Sequence, residues 1–173
     1  NAVWIWESVL DSRPYIVAIM SNVARGYAQM GQNDKALEYL DRAKKLQPKA
    51  TTVNSLEVIL LSRTGREPEA YQKARALVAA GVVDIDLLNA TSILAVRAKD
   101  WPMAVRALEL RNQNLPAYAV DGWLKMGNIY AAATGFKDET KALAAYREAL
   151  ALAPDAQKAA VRAQIPAAYW PRL

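Results

Sequence analysis

The side chains that could do chemistry in this chain are carboxylates and guanidinium groups, because it contains no histidine and no cysteine. Glu57, Asp86 and Asp121 could in principle serve as general acid and base. The sequence contains no paired-carboxylate motif and no phosphate-binding loop, and without imidazole or thiol groups the usual zinc and nucleophilic chemistry is excluded. We therefore expect that the protein is not an enzyme and that it has no catalytic residue, no metal site and no cofactor.

Arginine and asparagine side chains favour binding over catalysis. Arginine holds carboxylates or main-chain carbonyls with its planar fork, and asparagine can hydrogen-bond a peptide backbone. Arg63 and Arg97 lie 34 residues apart, so in a chain that repeats with this period they would occupy neighbouring positions. An alternative stays open, since an arginine in the last turn of a helix is also favoured by the helix dipole alone.

Small residues and prolines recur at this same period. Gly31 and Gly65 are 34 residues apart, and Ala36, Ala70 and Ala104 follow with the same step. A period of about 34 residues is typical of the tetratricopeptide repeat (TPR), which is a pair of helices. Two pairs of prolines share the period, Pro14 with Pro48 and Pro68 with Pro102.

The residue types also resemble those of the TPR family, which has an aromatic, a Leu-Gly pair and Tyr on the first helix, then Ala, a large residue and Pro. Two central repeats depart from this pattern, with Glu57 where an apolar residue is usual and Lys99 where Gly is usual. The resemblance implies an all-α fold, a right-handed superhelical α-solenoid of about four TPR-like helix-turn-helix repeats plus terminal capping helices. The matching residues are Trp123, Met126, Gly127, Tyr130, Ala142, Tyr146, Ala149 and Pro154, and before them Val23, Ala24, Tyr27, Gly31, Ala36, Leu40, Ala43 and Pro48.

The repeats predict how the chain is organised. We expect a cloning scar at 1–2, an N-terminal helix at 3–14 that is a partial repeat or a cap, four repeats at about 15–48, 49–82, 83–116 and 117–154, and a C-terminal capping helix and tail at 155–173. Asp34, Asp100 and Asp138 are expected as caps or first-turn acids, and Pro68 and Pro102 in the first turns of second helices. Lys44 and Lys73 are expected on a solvated outer face.

In the TPR family the first helices line a concave face, and the resemblance implies a binding surface there. We expect Arg63 and Arg97 on one rim, with Arg25 nearby. Asp86 and Asp121 are expected near the other rim. Apolar patches are expected at Ile59, Ile93 and Leu124. The candidate ligand-binding residues are Arg25, Ile59, Arg63, Asp86, Asn89, Ile93, Arg97, Asp121, Leu124 and Asn128.

The function that these features favour is a non-catalytic scaffold that binds a protein or peptide. An alternative rests on Trp4 to Leu10, followed by Pro14 and a repeat, which resembles the stretch after the last membrane span in bacterial envelope glycosyltransferases of the O-antigen polymerase or ligase type. The chain would then be a soluble appendage that recruits a partner or acceptor. This alternative favours the bacterial periplasm or cell envelope over the cytoplasm.

The expected partners follow from these alternatives. An RNA-binding helical repeat is a remote alternative that the pI of about 9.5 allows, but the basic residues do not concentrate on the concave face, so we expect no nucleic acid. We expect no membrane insertion of this fragment, and a membrane-tethered parent stays compatible with it. Self-association through exposed solenoid ends is a further possibility.

Overall fold

The computed structural model describes residues 2–13 and 15–173, and the expectations for Asn1 and Pro14 lie outside the described residues. This part of the chain is built from α-helices with short connections and contains no β-strand, which confirms the all-α fold class. The helices are α1 (Ala2–Ser12), α2 (Val17–Gln29), α3 (Asn33–Leu46), α4 (Thr51–Arg63), α5 (Glu67–Ala79), α6 (Ile85–Arg97), α7 (Trp101–Asn114), α8 (Ala119–Ala132), α9 (Glu139–Leu152) and α10 (Asp155–Ala163), with short 3-10 helices at Pro116–Tyr118 and Ala167–Arg172.

The recurring glycines end first helices. At the end of α2 the Gln32 amide donates to the Tyr27 carbonyl oxygen at 2.9 Å, and the Gly31 amide donates to the Ala28 carbonyl oxygen at 3.1 Å. This pair of bonds is the Schellman motif, which requires a left-handed residue after the helix. Gly31 has φ +74° and Gly65, at the same place after α4, has φ +79°. Glycine adopts this conformation without steric strain.

The helix starts also follow from residue types. Asp100 and Asp138 each accept a hydrogen bond from the backbone N–H three residues further on, at 3.1 and 2.9 Å. Asp34 lies in the first turn of α3, and Pro68 and Pro102 lie in the first turns of α5 and α7. These roles were predicted from the sequence and are confirmed. The aspartates supply a hydrogen-bond acceptor or a negative charge at the start of a helix. The prolines lack an N–H group at a position where the helix does not need one.

The chain divides within α6 into two compact units. The N-terminal unit ends at Ala90, and the C-terminal unit begins at Thr91. In the N-terminal unit α2 packs on α1, α3 and α4, and α4 packs on α3 and α5; in the C-terminal unit α8 packs on α7 and α9, and α10 packs on α9. Glu7 fixes α1 to the first helix pair by accepting hydrogen bonds from the Tyr27 and Tyr39 hydroxyls, at 2.6 and 2.8 Å.

Pairs of small and large residues set the distance between packed helices. In the C-terminal unit Gly127 of α8 faces the fully buried Tyr146 of α9 so closely that a Cβ at Gly127 would lie 2.6 Å from the Tyr146 Cδ1 atom. In the N-terminal unit Ala24 and Ala36 have no exposed surface. Tyr169 of the last 3-10 helix packs edge-on against Tyr146, with ring centroids 5.1 Å apart. Close packing of this kind leaves no room for an added methyl group.

Candidate functional site

The C-terminal unit has an apolar depression of about 350 Å³ between α6 and α8, which we call site A. Two of its side chains are unusually accessible for aliphatic residues, with Ile93 50% and Val96 39% exposed. They lie one helical turn apart, so both point to the same side of α6. An accessible apolar floor inside a concave surface is typical of a binding site. The residues that line site A are Ser92, Ile93, Val96, Arg97, Leu108, Lys125, Asn128 and Ile129.

A second depression of about 430 Å³, site B, adjoins site A in the same unit. The two sites share Val96, Asn128 and Ile129, which therefore form the wall between them. Site B adds the rim residue Lys99 and the half-buried indole of Trp101. The residues that line site B are Val96, Lys99, Trp101, Asn128, Ile129, Ala132, Ala133 and Thr134.

The side-chain amide on the shared wall is held in one orientation. The Tyr146 hydroxyl donates to the Asn128 Oδ1 atom at 2.8 Å. Burial, and to a smaller extent the neighbouring Tyr169, raises the pKa of Tyr146 to about 12, so the hydroxyl keeps its proton at neutral pH. Because Oδ1 takes this bond, the NH₂ group of the exposed Asn128 is the part that can donate to a ligand carbonyl.

The charge around sites A and B is positive. Arg97 and Lys125 line site A, Lys99 lines site B, and none of the described residues that line either site is acidic. Lys125 forms an ion pair with Asp121 at 2.9 Å, in which both side chains are about half exposed. Exposed pairs of this kind contribute little stability and exchange readily for another partner. A carboxylate on a ligand can therefore compete for Lys125.

Asp121 has a structural partner that the sequence did not reveal. The guanidinium of Arg111, only 2% exposed, donates to the Asp121 Oδ2 atom at 2.6 Å. Burial alone would raise the pKa of Asp121, but the hydrogen bonds from Lys125 and Arg111 outweigh it and lower the pKa. The carboxylate is therefore ionised and engaged by two cations, and it lines neither site A nor site B. Its assignment as a ligand-binding residue stays a prediction.

The N-terminal unit has a smaller depression of about 110 Å³, site C. Arg25 and Asp86, which were expected on opposite rims, form an ion pair there, so that expectation is wrong. The reason is that the Arg25 guanidinium reaches the first turn of α6. Arg63 donates to the backbone carbonyl of Ala28 near the end of α2. The residues that line site C are Arg25, Ala28, Gln29, Leu56, Ile59, Arg63 and Asp86.

Leu124 was expected on an accessible surface but is buried, whereas the assignment of Asn89 stays a prediction. Leu124 is only 6% exposed. Its assignment as an exposed apolar patch was therefore wrong. Asn89 is half-buried and is not among the described residues that line sites A, B or C. Of the ten candidates, only Ile93, Arg97 and Asn128 line site A.

Several residues of sites A and B were missed by sequence reasoning. Val96 follows Ile93 by three residues on an exposed face, which a helical-register argument could have found. Ile129 adjoins Asn128, but its exposure depends on how α8 is rotated, which the sequence does not determine. Lys99 carried the clearest signal, because it stands where the repeat usually has glycine.

The unusual carboxylate Glu57 has a structural role. Its Oε1 atom accepts a hydrogen bond from Lys44 of α3 at 2.6 Å, and Lys73 of α5 forms an ion pair with its Oε2 atom. Burial tends to raise the pKa of Glu57, but the bonds from Lys44 and Lys73 lower it overall. The two lysines were expected to be solvated, and their pairing with Glu57 corrects this. Glu57 stands on α4 between them, which explains a charge at an apolar position.

The described residues offer neither a metal site nor a membrane-spanning helix. Among residues 2–13 and 15–173, no cluster of three or more acidic side chains is arranged to hold a metal ion. In the same residues no helix has the length and apolar character needed to cross a membrane.

Comparison with known proteins identifies the fold. No family model matches the chain. The protein CTR9 homolog of Arabidopsis thaliana is 32% identical in an alignment of 109 residues that covers 61% of this chain and 10% of that protein. The chain thus spans about a tenth of the length of this curated relative. None of the similar proteins supports the resemblance to envelope glycosyltransferases.

Among the solved structures that match the chain, two cover most of it. The crystal structure of the MamA protein superposes with a TM-score of 0.68 at 17% identity, over 92% of this chain and 84% of that one. The crystal structure of YrrB, described as a TPR protein with an unusual peptide-binding site, superposes with a TM-score of 0.72 at 16% identity, over 96% of this chain and 83% of that one. The resemblance to TPR proteins is confirmed, and the chain has the fold of a tetratricopeptide-repeat solenoid.

Proposed function

We propose that the chain is a non-catalytic scaffold that binds a protein or peptide at site A. The observation that carries this proposal is the accessible apolar pair Ile93 and Val96, which lines site A together with Leu108 and Ile129. Covering such side chains removes apolar surface from water, which stabilises a complex by about 25 cal/mol per Å². A TPR protein of the same fold has a peptide-binding site, which supports this class of ligand.

The cationic partners of the carboxylates support a role without catalysis. A general acid or base works best with a pKa near the operating pH. Glu57 and Asp121 both have lowered pKa values because cations donate to them, and Asp86 is engaged by Arg25. Each of these carboxylates is better placed to hold helices together than to transfer a proton.

An unbiased peptide selection tests the proposal. The protein, immobilised, is used to select from a random displayed peptide library, in parallel with the variants Ile93→Arg and Val83→Arg. Val83 is the matched control, because it is 42% exposed but is not among the described residues that line site A. Circular dichroism melts establish beforehand that the three proteins are equally folded.

The expected result is a set of enriched peptides shared by the wild type and Val83→Arg and lost with Ile93→Arg. A charged side chain in the apolar floor would have to be desolvated on binding, which opposes association. Failure of the wild type to enrich any sequence, or enrichment of the same peptides by Ile93→Arg, would show that site A is not the binding surface.

A further inference from the structure

Lys99 occupies a backbone position that the other turns give to glycine. Its φ is +57°, and it is the one non-glycine residue with positive φ in the described part of the chain. The Lys99 amide donates to the Val96 carbonyl at 3.1 Å, and the Asp100 amide donates to the Ala95 carbonyl at 2.9 Å. This is the same Schellman motif that Gly65 closes after α4. An L-residue with a side chain rarely adopts this conformation.

The side chain held in this unfavourable conformation lines a cavity. Lys99 is exposed and lies on the rim of site B, near Trp101. A non-glycine residue in a left-handed conformation beside a ligand-sized depression is an indication of function. A lysine there adds an ammonium group to an apolar site, which glycine could not do.

The positive charge of the chain is concentrated in this unit. Residues 91–173 contain 11 Lys and Arg against 7 Asp and Glu, which gives +4 of the chain's formal +5. Sites A and B have three cations and no acidic side chain among their described lining residues, and the ion pair with Asp121 partly offsets the charge of Lys125. A partner with negative charge fits such a surface, because complementary charge speeds encounter and disfavours basic competitors.

We infer that sites A and B together bind an extended acidic peptide that carries two apolar side chains two residues apart, and that Lys99 contacts one of its carboxylates. This inference rests on the proposed function and names the chemistry of the ligand. It adds site B and Lys99 to a binding surface that was otherwise site A alone.

The shared wall sets the spacing of the two apolar side chains. In an extended chain, residues i and i+2 point to the same side and lie about 6.5 Å apart, so they can enter two hollows separated by a single layer of side chains. That layer is Val96 and Ile129, with the Asn128 amide beside them. The NH₂ group of Asn128, whose Oδ1 atom accepts from Tyr146, can donate to a main-chain carbonyl of the peptide. A helical ligand has those carbonyls bonded internally, so an extended ligand fits better.

Designed peptides test this inference directly. The probes are fluorescein-labelled, C-terminally amidated peptides of eight residues with two leucines placed one, two, three or four positions apart in a background of glutamate and glycine. A matched set has lysine in place of glutamate. Binding is measured by fluorescence anisotropy with the wild type and with Lys99→Gln, Lys99→Arg and the control Lys137→Gln. Lys137 is an exposed lysine of the same unit that is not among the described lining residues.

The acidic peptide with leucines two positions apart is expected to bind most tightly, about tenfold more tightly than its lysine counterpart. Lys99→Gln should weaken it about three- to tenfold, whereas Lys99→Arg and Lys137→Gln should keep it. The retained affinity of Lys99→Arg separates a charge contact from a structural effect, because both substitutions keep a side chain in the left-handed conformation.

Three results would overturn the inference. Equal binding of acidic and basic probes would show that the ligand need not be acidic. A preference for leucines three or four positions apart would show that the ligand is not extended. Unchanged affinity with Lys99→Gln would show that Lys99 does not contact the peptide. If these occur while peptides from the unbiased selection still depend on Ile93, only the inference fails. If no selected or designed peptide binds, the proposed function fails with it.

Discussion

Replacing Lys99 with glycine should stabilise the protein. A left-handed residue with a side chain is disfavoured by about 1–2 kcal/mol, and the φ of Lys99 is +57°. Glycine loses more backbone freedom on folding, which costs about 0.5–1 kcal/mol. The difference leaves a gain of about 0.5–1 kcal/mol in the free energy of unfolding.

The reverse change serves as a matched test. Gly65 has φ +79° in the same motif, and no atom lies within 4 Å of a Cβ built there. Gly65→Lys therefore introduces the backbone strain without a clash, and we expect it to lower the free energy of unfolding by about 0.5–1 kcal/mol.

Thermal unfolding followed by circular dichroism measures both changes. For a chain of this size, Lys99→Gly should raise Tm by about 1–4 °C and Gly65→Lys should lower it by a similar amount. The reasoning is refuted if Gly65→Lys lowers Tm as expected while Lys99→Gly leaves it unchanged or lowers it. Lys99 would then make native contacts that offset its backbone strain, and its conformation would need no functional explanation.

Four further substitutions test the packing and the charge network. Gly127→Ala should lower the free energy of unfolding in urea by up to about 2 kcal/mol, because overpacking against Tyr146 costs about 1–3 kcal/mol and the gain in helix propensity is about 1 kcal/mol. A more stable variant would contradict the close approach. Leu124→Ala should lower the free energy of unfolding by about 2–5 kcal/mol, and Ile93→Ala by no more than about 0.5 kcal/mol. Equal losses would mean that the assignment of Leu124 to the core and Ile93 to the surface is wrong. Because the pKa of Glu57 is lowered in the folded protein, its ionised carboxylate stabilises the fold at pH values above the pKa of the unfolded state. This stabilisation is lost as the pH falls through the pKa of the folded state. Between about pH 5 and about pH 3 the wild type should lose more stability than Glu57→Gln, and parallel pH profiles would exclude this contribution.

Local features of the sequence predicted the helices well, because they act over a few residues. Gly31 and Gly65 end helices through their backbone conformation, and Asp100 and Asp138 begin helices through side-chain caps. The period of these signals alone indicates a repeat of helix pairs. The similarity to solved TPR structures confirms the fold that this period indicated.

The candidate site was predicted less well, because it depends on helix rotation and on the reach of long side chains. Leu124 was placed on the wrong face of α8, since one residue of register separates its buried position from the exposed Lys125. The ion pair of Arg25 with Asp86 joins residues far apart in the sequence, and no local pattern predicts it. Lys99 was noticed as an exception to the repeat, but only its φ and the adjoining cavity gave that exception a meaning.

The central claim is that a peptide binds on the α6–α8 surface of the C-terminal unit. The most direct measurement is a methyl NMR titration of isoleucine- and valine-labelled protein with the peptide that the selection enriches most. We predict that shifts concentrate at the methyl groups of Ile93, Val96 and Ile129, with Ile59 and Ile5 unmoved. Shifts at Ile59 or Ile5, with the first three methyl groups unchanged, would contradict the claim.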